Sequence, residues 1–162
     1  MDMGGKTYMP KGIIARRNVR CSREVAFLVA QAASLLITSS PDINSPTAST
    51  VVATGLDRLA AVEASCAEKG RRINYRALMA PDADEFAEAA ALPPARSISG
   101  RFLLSLSGAT LLRKIDLTCA RLTVEAFETR VRAEYTIRIA LRLMLLSARG
   151  EDAVPTVPAT EE

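Results

Sequence analysis

The chain contains no histidine, and this absence narrows the chemistry available to it. Without an imidazole there is no ordinary general base at neutral pH, no Ser-His-Asp or Cys-His arrangement and no histidine metal ligand. Carboxylates, Lys, Cys or Tyr would have to carry any reaction. The densest acids, Asp82, Asp84, Glu85 and Glu88, follow Pro81 at the start of a predicted helix. Acids stabilise the positive end of a helix, so they read as capping residues. Ser105-Leu106-Ser107-Gly108 has neither the glycine spacing nor the lysine of a phosphate-binding loop. Cys21, Cys66 and Cys119 are far apart and form no zinc spacing. Cys66 and Cys119 fall on apolar helix faces and read as buried free thiols. The expectation is a non-catalytic protein with no cofactor and no metal.

Arginine is the chemistry that remains, and it is unevenly placed. Residues 1–23 carry a net charge of +5 and residues 96–149 a net +6, whereas 24–95 and 150–162 each carry −4. Arg16, Arg17 and Arg20 belong to the first basic segment. Arg71 and Arg72 form a basic knot with Arg76 around the turn at Asn74, and Arg96 and Arg101 lie in the second segment. Guanidinium groups bind phosphate and can pair with guanine edges, so these seven arginines are the candidate nucleic-acid contacts. The stretch 84–101 adds a loose helix-turn-helix-like pattern. Phe86 to Leu92 would form the first helix, and a second helix from Pro94 would present Arg96, Ser97, Ser99 and Arg101. Ala91 stands where the turn usually has Gly, and Gly100 weakens the second helix.

Helices must position these groups. Residues 1–20, with Gly4, Gly5, Pro10 and Gly12, read as a flexible basic arm. Ser22 can cap a helix over 22–38, with Glu24 in its first turn. Val25 to Ile37 is uncharged, too short for a span of about 20 residues but apolar enough to bury or to lie on a membrane surface. Ser45-Pro46 predicts a second helix start with Ser45 as cap. Its face Val51, Gly55, Leu59, Val62 and Cys66 repeats at helical spacing, and Gly70 ends it. Residues 21–150 read as one globular domain and 151–162 as a disordered acidic tail.

The last third carries the largest apolar load. After Gly108 there is no Gly, Pro or Asn until Gly150, which predicts one long helix, or two meeting at a bend, over 104–149. Leu112, Cys119, Ala126, Ala133, Ala140 and Ser147 recur every seven residues beside Ile115, Leu122 and Thr136. Small residues at Ala126, Ala133 and Ala140, flanked by Ile115 and Leu122, suggest a seam for a partner helix. Against this, residues 135–145 alternate apolar and polar, as do Arg101 to Leu106 apart from Leu103. The fold expected is all-α, a bundle of about four helices with a long C-terminal helix. The alternative is α+β, with N-terminal helices and an antiparallel sheet from about 97–147.

Three functions follow. The first is a cytoplasmic interaction or assembly subunit, adaptor-like or chaperone-like, that binds a protein partner or its own copy through the seam. The second is a nucleic-acid-binding regulator using the arginines named above. The third is a membrane-peripheral subunit using the basic arm and 25–37. A small-molecule partner is left open.

Overall fold

The computed structural model describes residues 15–40, 42, 45–79 and 101–159. The helix expected after Pro81, the pattern 84–101 up to Gly100, and Arg96 lie outside them. The described chain is mostly helical, with five α-helices and two small two-stranded antiparallel sheets.

The first strand, β1, is Arg16–Ser22. It takes up residues assigned from sequence to a flexible arm. Val19 and Cys21 point inward and are buried, while Arg16, Asn18 and Arg20 point outward and are exposed. That is the two-residue period of a strand with one wet face. Helix α1, Arg23–Ser39, follows with no loop. Its Ser22 cap makes no side-chain bond. Instead the Ser22 amide donates to a Glu134 carboxylate oxygen at 2.7 Å. Val25, Leu28, Ala32 and Leu36 form its buried face, so one face of the apolar run packs inside the protein, while Phe27 and Ile37 are exposed. No helix among the described residues is long and apolar enough to cross a membrane. Thr38 and Ser39 donate back to the carbonyls of Ser34 and Leu35, bonds that slightly weaken a helix.

Helix α2 is Ala48–Glu68, and its cap is Thr47, whose Oγ1 accepts from the Thr50 amide at 3.1 Å. The start lies two residues beyond the expected Ser45 cap, because Thr47 supplies the acceptor. Val51, Gly55, Leu59 and Cys66 are buried as their spacing implies. Gly70, at φ +71°, turns the chain out of the helix. Strand β2, Arg71–Ile73, then leads through the Asn74 cap into the short helix α3, Tyr75–Leu78.

Strand β3 is Arg101–Ser107, and helix α4 is Ala109–Leu122. Between them Gly108 sits at φ +110°, a conformation that requires glycine. Here the expected long helix breaks. Thr123–Phe127 widens into a π-helical turn, and Glu128 adopts a left-handed φ of 58°. Thr123 closes the reversal from both sides. Its Oγ1 donates to the Cys119 carbonyl at 2.8 Å and accepts from the Val131 amide at 2.9 Å. Helix α5, Ala133–Ser147, then runs where an alternating strand pattern competes in the sequence. Eight consecutive or near-consecutive residues, Thr136, Ile137 and Ile139 to Met144, are buried. A helix enclosed on several sides has no polar face, so its apolar residues follow no 3.6-residue period. The expected sheet over 97–147 is therefore reduced to β3, which pairs with β1. Strand β4, Thr156–Pro158, pairs with β2, so this part of the expected acidic tail is ordered.

The chain contains an internal repeat. Strand, helix, helix occurs as β1-α1-α2 and again as β3-α4-α5. Both strands are seven residues long and share one sequence of exposed and buried positions. They pair antiparallel with Val19 opposite Leu104, the fourth residue of each. A position facing its own counterpart marks a local two-fold axis. The packing obeys it: α1 contacts α2 as α4 contacts α5, α2 contacts β3 as α5 contacts β1, and α1 contacts α5 as α2 contacts α4. The second helices, α2 and α5, pack on each other. A Cβ at Gly55 would lie 3.2 Å from Leu141 Cδ2 and 3.5 Å from the Ala140 backbone.

Candidate nucleic-acid interface

The two strands form a ribbon with one dry and one wet face. Inward, Val19, Cys21, Leu104 and Leu106 join a core with Val25, Leu28, Val51, Leu56, Ile115, Ile137 and Leu141. Burial pushes the Cys21 thiol up to about 11, and its Sγ lies 3.4 Å from the Val19 carbonyl. Outward, the register places Arg16 opposite Ser107, Asn18 opposite Ser105, Arg20 opposite Leu103 and Ser22 opposite Arg101. None of these eight residues is acidic. Arg16, Asn18, Arg20, Arg101, Leu103 and Ser105 are exposed, with Leu103 at 58%. The core beneath holds the backbone in place, so three guanidinium groups, one amide and the Ser105 hydroxyl are presented on a rigid, hydrogen-bonded platform.

The structure thus brings together three of the seven arginines singled out from sequence: Arg16, Arg20 and Arg101. Arg101 opens a strand, not the second helix of a helix-turn-helix. Arg17 points the other way. It makes a bidentate pair with Asp116 of α4 at 2.7 and 3.0 Å, which raises its own pKa and lowers that of Asp116. It borders a groove of about 570 Å³ shared with Cys119, Arg130 and Arg132. Burial raises the Cys119 thiol, whose Sγ lies 3.1 Å from Thr136 Oγ1. Arg71 and Arg72 are on β2, beyond the C-terminal end of α2. Ser49, near the start of that helix, touches Ser107 of the ribbon, so the length of α2, about 30 Å, separates the two sites. Arg71 donates to Thr156 Oγ1 at 2.8 Å and to its carbonyl at 3.1 Å, beside a cleft of about 500 Å³ lined also by Arg58, Lys69 and Asp152.

The seam residues sit within the chain. Ile115, Leu122 and Ala140 are fully buried, while Ala126 and Ala133 are half-buried. Ala140 faces Gly55 of α2, so the close helix contact that small residues permit is made inside the protein.

Two polar clusters brace the helices. Glu24 of α1 pairs with Arg138 Nη2 at 2.8 Å and with Arg142 Nη2, both on α5. Arg142 Nη1 also donates to the Leu78 carbonyl at 3.0 Å. Burial pushes the Arg142 guanidinium below its usual value, and Glu24 opposes that shift. Further along, the Tyr75 hydroxyl donates to Glu63, which also accepts from Arg121 at 2.9 Å. Burial, then the charge of Glu63, raises Tyr75 far above an ordinary phenol. In the first cluster the buried Arg138 Nε makes no hydrogen bond. No group of three or more metal-ligating side chains occurs among the described residues.

Sequence reasoning missed Asn18, Leu103 and Ser105. The period-two pattern of 16–21 could have found the first. Comparison of the chain with protein-family models, with curated proteins and with solved structures finds no significant match.

Proposed function

We propose that this protein is a nucleic-acid-binding regulator that reads duplex DNA with the β1–β3 ribbon. The supporting observation is the ribbon's outer face, which holds Arg16, Arg20 and Arg101 with Asn18 and Ser105 and no acid. A two-stranded ribbon fits the major groove of B-form DNA. Arg recognises guanine O6 and N7, Asn recognises adenine N6 and N7, and Ser accepts either. The major groove of duplex RNA is too narrow and deep to admit side chains, so duplex DNA is the better substrate. The repeat adds support, because its local two-fold axis runs through the centre of the ribbon, in keeping with the two-fold pseudosymmetry of a DNA duplex. The reading as an assembly subunit has less support, since its seam residues pack against the chain itself.

Fluorescence anisotropy with a labelled mixed-sequence duplex tests the proposal. Affinity is expected to fall steeply as salt rises, as counterion release requires. The triple variant Arg16→Ala, Arg20→Ala, Arg101→Ala is expected to bind at least a hundredfold more weakly with an unchanged circular dichroism spectrum. Absence of wild-type binding at low salt, or equal binding by the triple variant, rules the proposal out.

A further inference from the structure

We infer that the ribbon recognises an asymmetric DNA site, one half facing Asn18 and Ser105 and the other facing Arg20 and Leu103. This rests on the DNA-reading proposal above. A two-fold symmetric reader built from two identical chains presents the same side chains to both halves of its site. Here the two halves are different stretches of one chain. Matched by position, the ends of the outer face agree: Arg16 corresponds to Arg101, and Ser22 to Ser107. The middle does not. The third position is Asn18 in β1 and Leu103 in β3, and the fifth is Arg20 in β1 and Ser105 in β3.

These middle positions flank the local axis at Val19 and Leu104, so they face the centre of any bound site. Asn18 and Arg20 can each make a paired hydrogen bond to one purine, adenine and guanine respectively. Leu103 can make none. It is nevertheless 58% exposed at the centre of a polar face, where the thymine methyl group is the apolar feature that the major groove offers. Ser105 discriminates weakly. The half of the site facing Asn18 and Ser105 is therefore expected to specify adenine, and the half facing Arg20 and Leu103 to specify guanine and thymine.

Selection of bound sequences from a randomised duplex library, using the full chain, tests this. The wild type is expected to enrich a non-palindromic motif. The double variant Leu103→Asn, Ser105→Arg makes the third and fifth outer positions identical in both strands. It is expected to enrich a palindrome, because each half then faces one Asn and one Arg. It should also bind the wild-type motif less well, by about tenfold or more, the scale of one base-specific contact. Both positions are exposed, so the fold should be retained, with an unchanged thermal midpoint as the control. A palindromic motif from the wild type, or an unchanged motif from the double variant, overturns the inference while leaving DNA binding intact. No retention of the library at low salt overturns DNA binding itself, and the inference with it; retention without an enriched motif overturns the inference alone.

Discussion

Replacing Glu24 by Gln isolates a positive charge inside the protein. Arg142 has a side chain only 2% exposed, and Glu24 is its partner carboxylate. Arg138, at 19%, shares that carboxylate. Gln keeps the volume and one acceptor, so no cavity forms and the loss is electrostatic. Breaking a buried pair by removing one partner costs about 3–5 kcal/mol. The lower end applies here, because Arg142 keeps the Leu78 carbonyl and Arg138 can turn toward water. A loss of about 3 kcal/mol is large against a total stability of roughly 5–15 kcal/mol, and it moves a urea midpoint by about 1–3 M. The double variant Glu24→Gln, Arg142→Met removes both charges at similar volume. It is expected to recover most of the loss, giving a coupling energy of about 2 kcal/mol or more in a double-mutant cycle. Urea unfolding followed by circular dichroism reads all four corners. A Glu24→Gln loss below about 1 kcal/mol, or a coupling near zero, would refute the view that this pair is buried and mutually dependent.

Other perturbations follow from single contacts. Gly55→Leu forces a side chain into Leu141 and the Ala140 backbone and should destabilise by about 1–3 kcal/mol, read as a lower thermal midpoint. Glu128→Gly relieves a left-handed φ of 58° and should stabilise by up to about 1 kcal/mol; a loss in urea unfolding would count against that strain. Cys21, raised by burial from 9.0 to about 11, favours folding while its thiol is neutral. Its contribution is full below pH 9 and disappears as pH rises to about 11, up to roughly 2–3 kcal/mol. Urea midpoints from pH 8 to 11 should fall less for Cys21→Ala, measured from its own lower starting value, than for the wild type.

Helix interiors were legible in the sequence wherever one face meets the core. The stripe Val51, Gly55, Leu59 and Cys66 is buried as its spacing implies, and Gly70 ends the helix. The alternation from Arg101 to Leu106 also corresponds to a strand. Legibility failed where tertiary context supplies what the local sequence lacks. The break after Leu122 uses no glycine, proline or asparagine. It is closed by the Thr123 hydroxyl and by Glu128 in a conformation that glutamate adopts at a cost. Helix α5 lost its helical period because α1, α2, α3 and α4 enclose it. Strand β1 was hidden for the opposite reason. Its outward residues are polar and its partner lies far along the chain, so only the short alternation Asn18, Val19, Arg20, Cys21 marks it as structure. The candidate site inherits this blindness. Arginine content alone groups Arg16 with Arg17, yet the pleat sends one to the wet face and the other to Asp116. The repeat that pairs Arg16 with Arg101 left little trace in residue identity, because the core needs only apolar volume at Val19, Cys21, Leu104 and Leu106. The outer positions are free of that packing demand, and so the two halves can differ there without disturbing the shared fold.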